Sequence, residues 1–217
     1  MRFSLAGFPI DVHWSFLLVA ALLGLGSNDL RIIVTWVGIV FVSVLFHELG
    51  HAVVARRYGL SPEISLYGMG GLTTYRTGRR LSRARSIFVS LAGPGAGLLL
   101  GGVVWGITQI PMPELNPIGR IALLNLLFVN IAWSILNLLP ILPLDGGSVM
   151  RSLVHMIRGN ADDRLPRQIS VAVAAAGGVA GFMTGNTFAA IFAGYLALIN
   201  YQALRGMPMP VFPGMRR

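Results

Sequence analysis

The chain has 217 residues, 54% of them hydrophobic and only 12% charged, with a mean hydropathy of +0.70; this excludes an ordinary soluble domain and is the composition of a polytopic membrane protein. Cysteine is absent, which excludes a disulfide framework, a cysteine-zinc site and a thiol nucleophile. The formal net charge is +9 and all 17 basic residues are arginine; in so apolar a chain the excess reads as membrane topology and contact with the lipid bilayer rather than nucleic-acid binding.

Met1–His13 carries Arg2 as its only cation, and Trp14–Gly26 is apolar. Counted from Phe8, this run is about long enough for a first span. A signal peptide is the alternative, but Asp11 and His13 interrupt the layout and no small-x-small cleavage site follows. His13 reads as an interfacial or packed histidine. After a polar turn at Ser27–Arg31, Ile32–Ala55 predicts the second span, closed by Arg56 and Arg57.

Ile64–Tyr75 reads ISLYGMGGLTTY. It predicts a short hairpin or re-entrant strand pair turning at Gly68–Gly71, the alternative being an ordinary loop. A hairpin edge there would accept an extended peptide as an added strand, which makes Gly70 and Gly71 candidate substrate contacts. Arg76, Arg79, Arg80, Arg83 and Arg85 follow as a lipid-headgroup face.

The third span is Ser86–Ile110, where Ala92–Gly97 and the pair Gly97 and Gly101 predict close helix packing. The fourth, Ile118–Leu139, contains Asn125, Asn130 and Asn137, which should face protein rather than lipid. Pro140 and Pro143 stop it. Ser148–Arg158 is amphipathic and predicts a helix in the membrane interface. His155 shares its polar face with Arg151 and Arg158 and is not counted as a ligand. Gln168–Thr184 and Thr187–Leu204 predict two further spans with a packing or gating role.

The expected fold is an all-α polytopic membrane protein of about six transmembrane helices, with a short re-entrant β-hairpin after the second. A single transmembrane domain would cover residues 1–204, and residues 205–217 would be a basic cytoplasmic tail. Arginines cluster at the start, in 56–85, in 151–167 and in the tail. Both termini are therefore expected in the cytoplasm.

One stretch carries chemistry. Phe41–Arg57 reads FVSVLFHELGHAVVARR, and Ile32–Phe46 before the first histidine holds no charged residue. On an α-helix His47 and His51, four apart, stand on one face and present two imidazole nitrogens to one point. Glu48 is rotated roughly 100° from His47 and is placed to reach a water rather than to ligate. This is the H-E-x-x-H arrangement of two metal ligands and one general base. The bland reading is a structural polar cluster, but such groups at membrane depth are costly unless paired or metal-bound.

A catalytic zinc usually takes three protein ligands, and the chain has eight acidic residues to search. Asp145 follows an apolar span at a helix break, on the same predicted side as the histidines. Its alternative role is to cap the helix over Ser148–Arg158. The glycines at 146 and 147, which let backbone approach closely, favour a ligand.

With HELGH in one span and NLLPILPLDGG ending another, the chain resembles the site-2 protease family of intramembrane zinc metalloproteases. Supporting pieces are FPIDVH at Phe8–His13, the glycines Gly70 and Gly71, and Ala92-Gly93-Pro94. The resemblance implies one zinc ion held by His47, His51 and Asp145, Glu48 as catalytic base, and Asn137 holding the substrate strand. It implies a multi-pass protein of a prokaryotic cell membrane acting on transmembrane protein substrates, with a regulatory membrane partner left open. Two departures stand out. Neither a PDZ nor a CBS module accompanies the motifs, and Gly97 stands where a polar residue is common. The rival readings are a metal-ion transporter and an inactive scaffold. No internal repeat favours the first, and the intact Glu48 speaks against the second.

Overall fold

The computed structural model describes residues 1–68, 70–75, 81–110 and 116–207. Among them lie seven helices and four strands. The expected all-α fold is thus corrected to a mostly helical one with a small sheet. The chain divides into two compact units, Met1–Arg80 with Ala92–Ile135, and Leu81–Leu91 with Leu136–Arg217. Most of the expected tail, residues 208–217, lies outside the described residues, as do Arg76, Arg79, Arg80 and Met69.

In the first unit, β1 (Arg2–Leu5) and β2 (Phe8–Val12) form an antiparallel hairpin. Its two linking residues, Ala6 and Gly7, have φ of 52° and 77°, the sign that a tight two-residue hairpin turn requires. The helices α1 (Trp14–Leu23) and α2 (Leu30–Arg57) follow, then β3 (Pro62–Tyr67) and β4 (Gly70–Tyr75). β3 pairs antiparallel with β4 and parallel with β2. A parallel pair needs a long crossover, and α1 with α2 supplies it. The sheet order is β1-β2-β3-β4, so β4 is an edge strand.

The sheet orients α2. Phe8, Ile10 and Val12 of β2 and Ile64 and Leu66 of β3 alternate inward and pack with Val44, Leu45 and Ala52 of α2 and Phe16 of α1. At the far end Arg56 donates to the Ala6 carbonyl at 3.0 Å and lies 4.0 Å over the Phe8 ring. The predicted hairpin at Ile64–Tyr75 is present, with Tyr67 opposite Gly70, as one half of this larger sheet.

The predicted first span needs correcting. Phe8-Pro9-Ile10-Asp11-Val12 alternates apolar-in and polar-out, which is a strand period and not a helical one. What remains, α1, has 10 residues. At 1.5 Å per residue that is about 15 Å, half of a hydrocarbon core of about 30 Å. His13 is the N-cap of α1, its Nδ1 accepting from the Ser15 amide at 3.3 Å.

Among the described residues four helices are long and apolar enough to cross a membrane: α2, α3 (Arg83–Thr108), α4 (Pro117–Asn137) and α7 (Thr187–Leu204). α3 and α4 pass close to each other and to α2 through small residues. A Cβ on Gly50 of α2 would collide with the Ala92 carbonyl, and one on Gly97 with the Ser134 hydroxyl. Asn130 is buried, as expected, and donates to Ser43 Oγ at 2.9 Å and to its own helix at Leu126 O at 2.8 Å.

In the second unit, the turn after α4 leads into α5 (Asp145–Arg158), α6 (Arg164–Met183) and α7. The run expected as a fifth span, Gln168–Thr184, is helical through Met183, but its helix α6 starts earlier, with Arg164 and Arg167 in its first turn, and is not among the four apolar helices. α6 and α7 form a tight hairpin in which a Cβ on Gly181 would meet the backbone of Ala189 and Ala190. Ile141, Ala174, Leu196 and Ile199 form its core. His155 lies 3.1 Å from Asp163 Oδ1, and Arg83 donates to the carbonyls of His155 and Asn160. α5 leaves Leu153, Met156 and Ile157 exposed, in keeping with an amphipathic helix at an apolar boundary.

Candidate metal centre

His47, Glu48 and His51 lie near the C-terminal end of α2 and are all buried. The helical rise stacks the two histidines, and their Nε2 atoms are 3.2 Å apart. Two zinc ligands at about 2.0–2.1 Å in tetrahedral arrangement are about 3.4 Å from each other. The spacing therefore fits a shared ion.

Asp145 is the first residue of α5, where a helix N-terminus favours a carboxylate. The cap position itself belongs to Leu144 and has no side-chain cap bond. His47, His51 and Asp145 each offer a ligand atom, and these atoms all lie within 4.8 Å of one another. Among the described residues this is the group of three that can hold a metal. Two neutral imidazoles and one carboxylate are a suitable donor set for zinc.

The backbone beside the histidines is shaped around them. A Cβ on Gly93 of α3 would fall on Nε2 and Cε1 of His51 and on Nε2 of His47. Only glycine leaves the two ligands their space there. Composition and spacing marked Ala92–Gly97 as a packing element; that the element packs on the ligands themselves required the fold.

Glu48 points away from the pair toward β4. Thr73 donates from its hydroxyl to Glu48 Oε2 at 2.6 Å and lies 3.3 Å from the Glu48 carbonyl. On the same strand a Cβ on Gly71 would collide with the Glu48 carboxyl group. Gly70, at φ +119°, lies against the Trp133 ring. Gly71 and Thr73 thus frame the carboxylate. Thr73 escaped the sequence reading, whose signal there was only a threonine in an alternating strand. Asn137 closes α4 and is largely buried.

The backbone that delivers Asp145 is irregular and held from several sides. Leu144 N–H bonds Ile141 O at 2.8 Å, and Ser148 N–H bonds Leu144 O at 3.0 Å. Gly146 and Gly147 seat the first turn of α5 on this segment; a Cβ on either would enter the backbone of Leu138–Leu139 or Ile141–Leu142.

A family model, peptidase family M50, matches residues 35–119 and 106–176. The chain belongs to that family. It is 31% identical over 156 residues to a zinc metalloprotease of Methanocaldococcus jannaschii, covering 70% of this chain and 44% of that one. It is 36% identical over 174 residues to a relative from Synechocystis, covering 72% of this chain and 44% of that one. The match to Rip3 of Mycobacterium tuberculosis is 28% identical and covers 98% of this chain and 60% of the relative. The chain thus spans about half the length of the curated relatives it matches. Among solved structures, the site-2 protease from Methanocaldococcus jannaschii superposes with a TM-score of 0.62 at 23% identity, over 98% of this chain and 99% of that one. The fold is therefore of the site-2 protease kind, and the chain is a multi-pass integral membrane protein.

Proposed function

We propose that this chain is an intramembrane zinc metalloprotease that hydrolyses peptide bonds within or near transmembrane segments of membrane protein substrates. The observation that carries the reading is the cluster of His47, His51 and Asp145, with Glu48 adjoining on the same helix. The naming of a matched relative as a zinc metalloprotease supports it.

His47, His51 and Asp145 would hold the zinc. When bound, zinc supplies Lewis-acid chemistry, acidifying water and polarising a carbonyl. Glu48 takes a proton from the water that attacks the scissile carbonyl carbon, then delivers it to the leaving amine. Thr73 and Gly71 hold the Glu48 carboxylate in one orientation. β4, last in the strand order of the described sheet, takes the unwound substrate as an added strand, with Gly70 and Gly71 letting it approach and Asn137 assisting.

The charge distribution supports a topology. Arg56 and Arg57 end α2, and the β1-β2 turn sits against Arg56. This supports an N-terminus on the arginine-rich side, which the charge rule makes cytoplasmic. α1 rises alongside α2, with Trp36 donating to Ala20 O at 3.1 Å; α6 and α7 form the last up-and-down pair. Counting α1 and α6 with the four apolar helices makes about six membrane-entering segments and returns the C-terminus to the cytoplasm.

The test is cleavage of a single-span model substrate in detergent together with metal analysis. Asp145→Ala is expected to lower zinc affinity by more than about 100-fold and to abolish cleavage. Wild-type turnover in that variant, or zinc flux into vesicles without proteolysis, would remove the reading. Thr73→Val offers a finer check. Losing a hydrogen bond to a charged group should lower kcat by about tenfold or more with KM little changed, and Thr73→Ser should restore it. Equal kcat values for the valine and serine variants would show that the hydroxyl plays no part.

A further inference from the structure

We propose that Ser170 and Asn200 are positioning residues for the third metal ligand, clamping the backbone that carries Asp145; this rests on the metal reading above. The segment Leu138–Leu144 lies between α4 and α5, and Pro140 and Pro143 deprive it of two amide donors. Irregular backbone in an apolar setting must find partners for its remaining polar groups. Leu142 is buried, and side chains satisfy both of its groups. Its N–H donates to Ser170 Oγ of α6 at 3.0 Å. Its carbonyl accepts from Asn200 Nδ2 of α7 at 2.6 Å.

Each clamping side chain is itself anchored one turn back on its own helix. Ser170 Oγ donates to Pro166 O at 2.8 Å, and Asn200 Nδ2 donates to Leu196 O at 2.8 Å. Both side chains are buried almost completely. Their second bonds are therefore aimed rather than opportunistic. Two buried polar residues, one on each of two Ala-rich helices, thus converge on one residue of the loop.

The path from the clamp to the ligand is short. Leu142 is packed against Gly147 in the first turn of α5, and the Ile141–Leu144 and Leu144–Ser148 hydrogen bonds continue the connection. Asp145 sits inside that turn. Releasing Leu142 leaves its backbone groups without partners in an apolar interior and frees the loop to move, carrying Asp145 away from the histidines. The α6-α7 hairpin then has a defined task, beyond packing, in holding the metal centre together.

The experiment measures zinc affinity by chelator competition on the purified full chain in detergent, with thermal melting and hydrogen exchange of the 138–145 peptide alongside. Ser170→Ala and Asn200→Leu, which act on Asp145 through the backbone of Leu142, are expected to weaken zinc by about 10-fold, the lower end of the range for groups that bond a ligand directly. Exchange of the loop peptide should quicken in both. Gly181→Ala is the packing control: its added Cβ would strike the backbone of Ala189 and Ala190 in the same hairpin, eleven residues along α6 from Ser170, so its melting temperature should fall while its zinc affinity stays within about threefold of wild type. Zinc affinities of the two clamp variants within that same range overturn the proposal, as does a zinc loss in Gly181→Ala equal to theirs. If the wild type binds zinc and His47→Ala does not, such a result removes the clamp alone. If the wild type binds no zinc, the metal reading falls and the clamp with it.

Discussion

Glu48→Gln is expected to reduce cleavage of a membrane substrate to background while leaving the metal in place. The substitution keeps the size of the side chain and an oxygen able to accept from Thr73, whose hydroxyl lies 2.6 Å from the carboxylate. It removes only the capacity to take a proton. General-base catalysis contributes about 10²–10⁴-fold, and the loss should be at least of that size. Because Glu48 is turned from His47 and His51 toward β4, zinc content should stay at the wild-type level. The variant must be measured for zinc and for turnover on one preparation. Turnover near wild type, with zinc retained, would assign the base to another group. Loss of zinc together with turnover would place Glu48 among the ligands instead. A further consequence follows from the framing of the carboxylate: adding Thr73→Val to Glu48→Gln should cost little more, since the hydroxyl acts through the group already removed.

Gly93→Ala should be nearly as severe, by a different route. A methyl group there would occupy the space of His51 Nε2 and Cε1 and of His47 Nε2. The histidines would have to rotate out of the geometry in which their nitrogens stand 3.2 Å apart. Zinc affinity is expected to fall by more than about 100-fold, and cleavage with it. Gly95→Ala, two residues on in the same helix, is the comparison, because a Cβ there meets nothing within 4 Å. Alanine is a better helix former than glycine by about 1 kcal/mol, so Gly95→Ala should hold zinc and melt no lower than wild type. Helix propensity acts equally at both positions, and only the steric term differs. Equal zinc affinities for the two variants would mean that α3 does not pack on the ligands as described.

Legibility in the sequence followed the range of the interactions. The pairing of His47 with His51 is a local consequence of the helical repeat, and an apolar run around it is enough to predict a helix. The strand pair at Ile64–Tyr75 was readable for the same reason, from alternation and glycines within a dozen residues. Phe8–Val12 was not, because a strand that touches an apolar helix is easily absorbed into a single hydrophobic run. Its partner, β3, lies far along the chain and pairs through Ile10 and Ile64. No local pattern announces a parallel pair closed by two helices. Asp145 was reachable by elimination, since few acidic residues compete for the place, and the glycines beside it favoured a ligand over a helix cap.

Residue types and short spacings alone determined the membrane class, the two histidines and the carboxylate on one helix, and a break in the chain at the prolines before Asp145. Tertiary structure decided that β4 frames Glu48 through Thr73 and Gly71, that Gly93 is small because two ligands lie against it, and that Ser170 and Asn200 grip the loop. The physical reason is that helical and strand periods express bonds made within a few residues, whereas each of these three contacts joins groups far apart in the chain, brought together only when separate elements pack.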